Sequence, residues 1–335
     1  MLKSVSSVNE AIELIHNVIG LCDSGGFNLT KFVCTVKEVL DSLPITKLAP
    51  ILKEYDLSQS SPLIERALGV HWCIENDNLF FKIVFKDSPL TRTGILSTIS
   101  SIYDPPGLAS PFILPGRLIL QAVVHEKKGW DTELSAEHRM KWEKWRSKIC
   151  KLDKVHIRRC VKPTGFGKAV ETTLHHFADA SEAGYGTASY IRQVNENGDI
   201  SVSLLMGKSR VTPMRTNTIP KLELGAAGVA AKVSTLLNSE LDISPMLNEF
   251  WSDSRIVLGY ITNESKRFKT YVANCTQLIR QTTDIRRWHY IPFNENPADI
   301  ASRGLDIDFP KVYTWFNGPD KLRKKEETWK SDDEC

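Results

Sequence analysis

Apolar residues Ile12, Leu14, Ile15, Val18 and Ile19 recur at helical spacing behind a polar start. Ser7 stands three positions before Glu10, the spacing of a capping box, so a helix is expected to open there. Ser24-Gly25-Gly26 should stop it, because paired glycines favour turn backbone. Two β-prone runs, 67–74 and 79–85, flank Glu75-Asn76-Asp77-Asn78 and predict a hairpin. The run YDPPGLASP at 103–111 then breaks the chain with three prolines and a glycine. Stretches around 112–126 and 135–152 have helical patterning, the second with Trp142 and Trp145 on one side.

Beyond about residue 165 the pattern changes. Residues 172–180, 184–192 and 200–208 are expected to form three successive strands joined by short turns. A helix follows from about Pro220 to Asn238, then a strand at 247–252 and helices at 254–262 and 267–282. A last strand, 286–291, precedes a helix beginning near Pro297. Three meandering strands followed by alternating helix and strand predict a mixed five-stranded sheet with helices on its faces. The first crossover lays strand four parallel to strand one. The chain is therefore expected to be a multidomain α/β protein. Its tail after Asp306, aromatic and then highly charged, is expected to be a loosely packed extension, with the KLRKKEE run near 321–327 solvated.

Composition narrows the classes. With 335 residues, 41% hydrophobic and 25% charged, the chain suits a globular protein of two or three domains. A net charge of +3 permits local nucleic-acid patches without announcing them. No apolar run reaches the ~20 residues of a membrane span, so no membrane partner is expected. MLKSVSSVNE lacks the apolar core of a signal peptide, and an intracellular location follows. Seven scattered cysteines contain no C-x-x-C pair, which argues for reduced thiols and against a structural zinc site.

The candidate chemistry is carboxylate chemistry. In the expected sheet Asp179 closes strand one and Asp253 closes strand four, its parallel neighbour, where open sheets place ligands. Glu223 falls in the first turn of the intervening helix and Asp299 in the first turn of the last one. Each alone has a plain structural explanation, as a strand terminator or a first-turn acid favoured by the helix dipole. All four at one sheet edge form a set whose mutual repulsion divalent cations would relieve. Oxygen-only ligands favour Mg²⁺ or Mn²⁺ over zinc. Two such ions suit in-line displacement at phosphorus, which is nuclease chemistry.

Four segments, FADASEAGYG, KSRVTPMRTNTIPKLELGAA, WSDSRIVLGYI and RRWHYIPFNENPADIASRG, together resemble the ribonuclease H domain in the Pol polyprotein of BEL/Pao-type LTR retrotransposons. YTWFNGPDKL, which follows, resembles the segment leading towards the integrase. The resemblance implies an RNase H-like fold, cleavage of RNA in RNA–DNA hybrids, and metal ligation by Asp179, Glu223, Asp253 and Asp299. In that scheme Asp179 bridges two ions, Glu223 and Asp253 hold the first, and Asp299 holds the second. Related enzymes often carry a mobile histidine before the last acid. FNENPAD has none, so Asn294 or Glu295 is the stand-in, and His289 is read as structural. Lys208, Arg210, Arg215 and Asn217 are the candidate substrate contacts, the cations for phosphates and the amide for the minor groove. An ordinary solvated loop explains them equally well.

The N-terminal half resembles reverse transcriptase downstream of its catalytic carboxylates, through GGFNLTKFVCTVKEVL, ALGVHWCIENDNLFF and LTRTGILSTISSIYDPPGLASPFILPGRLILQ. The resemblance divides the chain into a palm end with a primer-grip-like hairpin (1–90), thumb and connection (91–165), RNase H-like domain (166–306) and an extension (307–335). The Tyr-x-Asp-Asp motif would precede LKSVSSVNEAIELI and does not occur, so template copying is not expected from this chain alone. Implied partners are an RNA–DNA hybrid or other nucleic acid and the rest of Pol, upstream palm and fingers and downstream integrase. The implied location is cytoplasmic, in a virus-like particle, or nuclear. Two alternatives stay open. One is an aspartic peptidase, for which Asp23-Ser24-Gly25 is the only candidate and a helix terminator the competing explanation. The other is a nucleic-acid-binding fragment without activity.

Overall fold

The computed structural model describes residues 3–5, 7–50, 64–67, 70–214, 218–241, 246–306, 309–326 and 329. The chain divides into two compact units, one of Met1–Lys82 with Lys154–Cys160 and the other of Ile83–Asp153 with Val161–Cys335.

In the first unit, helix α1 (Val8–Ser24) starts as its capping residues require: the Ser7 hydroxyl accepts from the Glu10 N–H at 3.2 Å. Gly25 caps its other end and Gly26 follows at φ 78°. Asp23 and Ser24 are thus the last residues of a helix, and the Ser24 hydroxyl donates back to the Leu21 carbonyl. A short helix α2 (Lys37–Asp41) buries Val39. The expected hairpin is present between β2 (Val70–Cys73) and β3 (Asn78–Phe80), with β1 (Ile64–Ala67) outside β2. Strand β4 (His156–Arg158), not foreseen from the sequence, pairs with β3 and completes an antiparallel sheet. Asp77 ties this sheet together: Arg159 reaches both its oxygens and Trp72 donates its indole N–H to one of them.

The second unit opens with helices α3 (Arg92–Ser100), α4 (Ser110–His125) and α5 (Ala136–Ile149). Trp142 and Trp145 stack at 4.7 Å and are buried, and Trp145 donates to the Phe112 carbonyl, so both pack helices together. Its sheet contains β5 (Ala169–Ala180), β6 (Gly184–Asn195), β7 (Ile200–Val211), β8 (Leu247–Ser252) and β9 (Trp288–Tyr290). The order is β7-β6-β5-β8-β9, antiparallel within the first three and parallel from β5 to β8 to β9. This is the expected RNase H-like mixed sheet. Helix α6 (Ile219–Glu240) forms the crossover, followed by α7 (Arg255–Thr262) and α8 (Thr270–Thr282). Small side chains Ala226, Ala227, Ala230 and Ala231 are fully buried, which lets α6 lie close on the sheet beside Ala178 and Phe250. Helix α9 (Ala298–Arg303) lies on β5 and β6 and packs against α4, which itself lies on β7.

The tail departs from expectation. Helix α10 (Phe309–Asn317) packs on β7, and Trp315 is fully buried with its indole N–H on the Leu108 carbonyl at 2.8 Å. Leu322 and Trp329 are buried too, and Lys321 is only 8% exposed. Buried Arg192 fastens the segment by donating to the carbonyls of Leu322 and Lys324. High charge suggested a solvated run, but three apolar anchors and one arginine outweigh it. Edge strand β7 is covered as well: the Gly207 N–H donates to the Pro106 carbonyl, and Arg117 and Gln121 from α4 donate to Ser209 and Thr212 carbonyls. Gly107, at φ 73°, is required there, since a Cβ would stand 1.8 Å from the Gly207 oxygen.

Candidate active site

Ala178 on β5 pairs with Ser252 on β8, so the next residues, Asp179 and Asp253, leave two parallel strands side by side. Neighbouring strands lie about 4.8 Å apart and alternation sends both carboxylates to one face. Opposite Asp179 on β6 stands Gly186, where a Cβ would meet the Lys208 oxygen at 2.2 Å and Ala301 Cβ at 3.0 Å. That missing side chain lets α9 settle onto the sheet next to Asp179. Asp299 is in the first turn of α9, as expected. Glu223 lies just past the first turn of α6, because that helix starts at Ile219 and holds no acid in its first turn.

Each acid has distinct surroundings. Asp179 is 4% exposed and accepts through Oδ2 from the Ser302 hydroxyl. Burial, helped by the charges of Asp253 and Asp299, pushes its carboxyl up to about 7 against the Ser302 hydrogen bond. Asp253 is pushed up to about 6, chiefly by burial and then by the charges of Glu223 and Asp299, with the Asn296 side chain opposing. Its Oδ1 is buried without a hydrogen-bond partner. Glu223 accepts from the Ser254 hydroxyl at 2.6 Å. Asp299 pairs with Arg303, one turn later in α9, and that carboxylate holds the Arg303 guanidinium above its ordinary range. Asp179, Asp253 and Asp299 thus feel one another's charge, and Asp253 feels that of Glu223 as well. Among the described residues no three His, Cys, Asp or Glu side chains are drawn together tightly enough to ligate an ion.

The sequence reading did not single out Ser302, Asn296, Ser254 or Arg303. Ser302 and Arg303 follow Asp299 at i+3 and i+4, a helical-face signal that was available. Asn296 donates to the Ala178 carbonyl and accepts from the Ala298 N–H, bridging β5 to α9. His289 is structural as expected, bonded to Glu249 at 2.7 Å and packed on Trp251. Of the candidate substrate contacts, Lys208 and Arg210 lie on β7 at the acid-bearing edge, opposite Thr187 and Tyr185. The Lys208 ammonium donates to the Pro105 carbonyl at 2.9 Å, while Arg210 is exposed. Arg215 and Asn217 lie outside the described residues.

Strand order, register and an acidic carboxyl edge define an RNase H-like domain. Residues 91–254 match the family described as the Pao retrotransposon-like RNaseH-like domain. The resemblance to BEL/Pao-type Pol is borne out by this match. No curated protein matches the chain. Similar solved structures include RNase H1 of the archaeon Halobacterium salinarum, at 14% identity and TM-score 0.27, covering 39% of this chain and 93% of that one. LC11-RNase H1 in complex with an RNA/DNA hybrid is 15% identical with TM-score 0.26, over 39% and 93% respectively. The foamy viral protease-reverse transcriptase in complex with dsDNA is 15% identical with TM-score 0.21, over 86% of this chain and 52% of that one.

Proposed function

We propose that this chain is a ribonuclease H-type hydrolase that cuts RNA in RNA–DNA hybrids, leaving a 3′-hydroxyl and a 5′-phosphate. The observation that carries the reading is the pair Asp179 and Asp253, abreast on parallel strands, with Asp253 Oδ1 buried and unpartnered. A buried acceptor without a donor costs folding free energy unless something charged meets it. The donor set is all oxygen, which fits Mg²⁺ or Mn²⁺. Asp179, Glu223, Asp253 and Asp299 would hold two such ions, which when bound supply an activated water and charge stabilisation at the leaving oxygen.

The remaining residues orient this set. Ser302 and Ser254 each engage one oxygen of Asp179 and Glu223, and Arg303 engages one of Asp299. Ligation would draw these acids closer together than they stand, which rotamer changes at their side chains could supply while one oxygen of each keeps its present donor. Arg303 sits in the field of Asp179, Asp253 and Asp299, so it offsets part of the negative charge the site carries before substrate arrives. Exposed Arg210 is placed to meet a backbone phosphate, a role that Lys208 would share on leaving Pro105. The rest of Pol would be its partner and the cytoplasm or nucleus its location, with residues 1–90 as palm end, 91–165 as thumb and connection, 166–306 as RNase H-like domain and 307–335 as extension. Template copying is not part of it.

The test is cleavage of an end-labelled hybrid. Wild-type protein should cut only with Mg²⁺ or Mn²⁺ present, and Asp253→Asn should abolish cutting while leaving the circular dichroism spectrum intact. Cutting that persists in chelator refutes the mechanism.

A further inference from the structure

A cleft of about 630 Å³ opens beside Asp299, with Phe293 and Asn294 on one wall and Lys311, Tyr313 and Lys324 of the C-terminal segment on the other. Phe293 is 54% and Tyr313 58% exposed, so two aromatic rings stand open in one cleft. The Arg303 guanidinium lies 5.4 Å from the Phe293 ring centroid, which steadies that ring and adds positive charge beside it. Lys321 also lines the cleft, its ammonium 5.2 Å from the Trp251 ring centroid, a buried cation held by an aromatic face. Glu295 and Asp320 line the cleft as well, and Asp299 is engaged by Arg303.

We propose that this cleft is a subsite for single-stranded nucleic acid, taking the unpaired strand next to the acid cluster. Exposed rings stack bases without regard to sequence, and lysines flanking them meet backbone phosphates. The volume is that of a small-molecule pocket, room for one or two bases and not for a duplex. Phe293 and Tyr313 supply the stacking faces, and Lys311 and Lys324 the phosphate contacts. The second wall is built from the tail that was expected to be a loosely packed extension. The strand's role as one leaving the cut site rests on the nuclease reading, whereas its binding does not.

The test is fluorescence anisotropy of a short labelled oligothymidylate with the full chain in chelator, where no cleavage can intervene. Wild type should bind. Phe293→Ala with Tyr313→Ala should weaken binding about 5-fold or more, from at least one lost stack. Lys311→Glu with Lys324→Glu should weaken it too and reduce the salt slope by about 1.4, as two phosphate contacts on a single strand require. Lys37→Glu, on an exposed helix of the other unit, should bind as wild type. If the aromatic pair lowers the melting temperature, the exposed lysine pair decides. Absent binding by wild type, or unchanged binding by the lysine pair, overturns the proposal. Cleavage of hybrid without single-strand binding sinks this subsite alone, and binding without metal-dependent cleavage sinks the nuclease reading alone.

Discussion

Replacing Asp179 by asparagine should stabilise the folded chain while abolishing its proposed chemistry. The buried carboxyl has its pKa raised from 3.8 to about 7, with desolvation the largest cause. The sign follows from proton uptake: between those values the folded state binds more protons than the unfolded one. Stability present below pH 3.8 is therefore lost as pH rises through about 7, and above it the folded state carries the full penalty of an ionised, crowded carboxylate. At 1.36 kcal/mol per pH unit the shift corresponds to about 4 kcal/mol. With only 4% of the residue exposed, little of that is screened by water. Asparagine keeps the volume and still accepts from Ser302, but its amide protons lack a designated acceptor, which returns about 1–2 kcal/mol. The net gain at pH 8 is about 2–3 kcal/mol, or roughly 4–12 °C in melting temperature at about 2–4 °C per kcal/mol.

The assay is thermal unfolding of both proteins in chelator from pH 4 to pH 8. The variant's advantage should grow with pH and flatten above about 7. Added Mg²⁺ should raise the melting temperature of wild type and not of Asp179→Asn, since only a ligand bound to the folded state stabilises it. A variant less stable than wild type at pH 8, or a difference independent of pH, would show that Asp179 is an ordinary strand-end residue and refute the reasoning.

Other consequences are checked more simply. Trp315→Ala removes a fully buried ring and its bond to the Leu108 carbonyl, and should cost about 3–5 kcal/mol in urea denaturation. Gly107→Ala forces a Cβ to within 1.8 Å of the Gly207 oxygen at a positive φ, and should lower stability by roughly 3 kcal/mol or more in the same assay. Asn294→Ala with Glu295→Ala should slow steady-state turnover of hybrid while leaving a single-turnover burst intact, if these residues stand in for the product-releasing histidine. An unchanged steady-state rate rules that role out.

What the sequence made legible was what local chemistry dictates. Three strand-like runs at 172–180, 184–192 and 200–208 with short turns between them, and the crossover at Pro220, were enough to order β5 to β9, because hairpin connections and the right-handed crossover leave few topologies. Asp179 and Asp253 were readable for the same reason, each being the first residue past a parallel strand or its last polar position. Strand β4 was not, since a three-residue strand with one half-buried side chain carries no periodicity. Nor was the packed tail. Trp315, Leu322 and Trp329 are anchors spread over an aromatic stretch and the charged run after it, and their burial is decided by a sheet face formed some hundred residues earlier. Ser302 went unnoticed because its task depends on Gly186, on another strand, allowing α9 to approach.

Asp179 and Asp253 are held in places that raise their pKa values, so the fold must be kept by something else. Much of that is the covering of β7: Trp315 bonded to Leu108, Gly207 bonded to Pro106, and Arg192 bonded to Leu322 and Lys324. Helix α9, which carries Asp299, is itself joined to α4 where the Leu305 N–H meets the Pro111 carbonyl. The helices before the sheet and the segment after it therefore belong to the same structural problem as the acids. Electrostatic strain at a site is tolerated where surrounding packing overdetermines the backbone. It follows that loosening the C-terminal wall should weaken the placement of Asp299 before it disturbs the β5–β8 pair, whose register is set by the sheet itself.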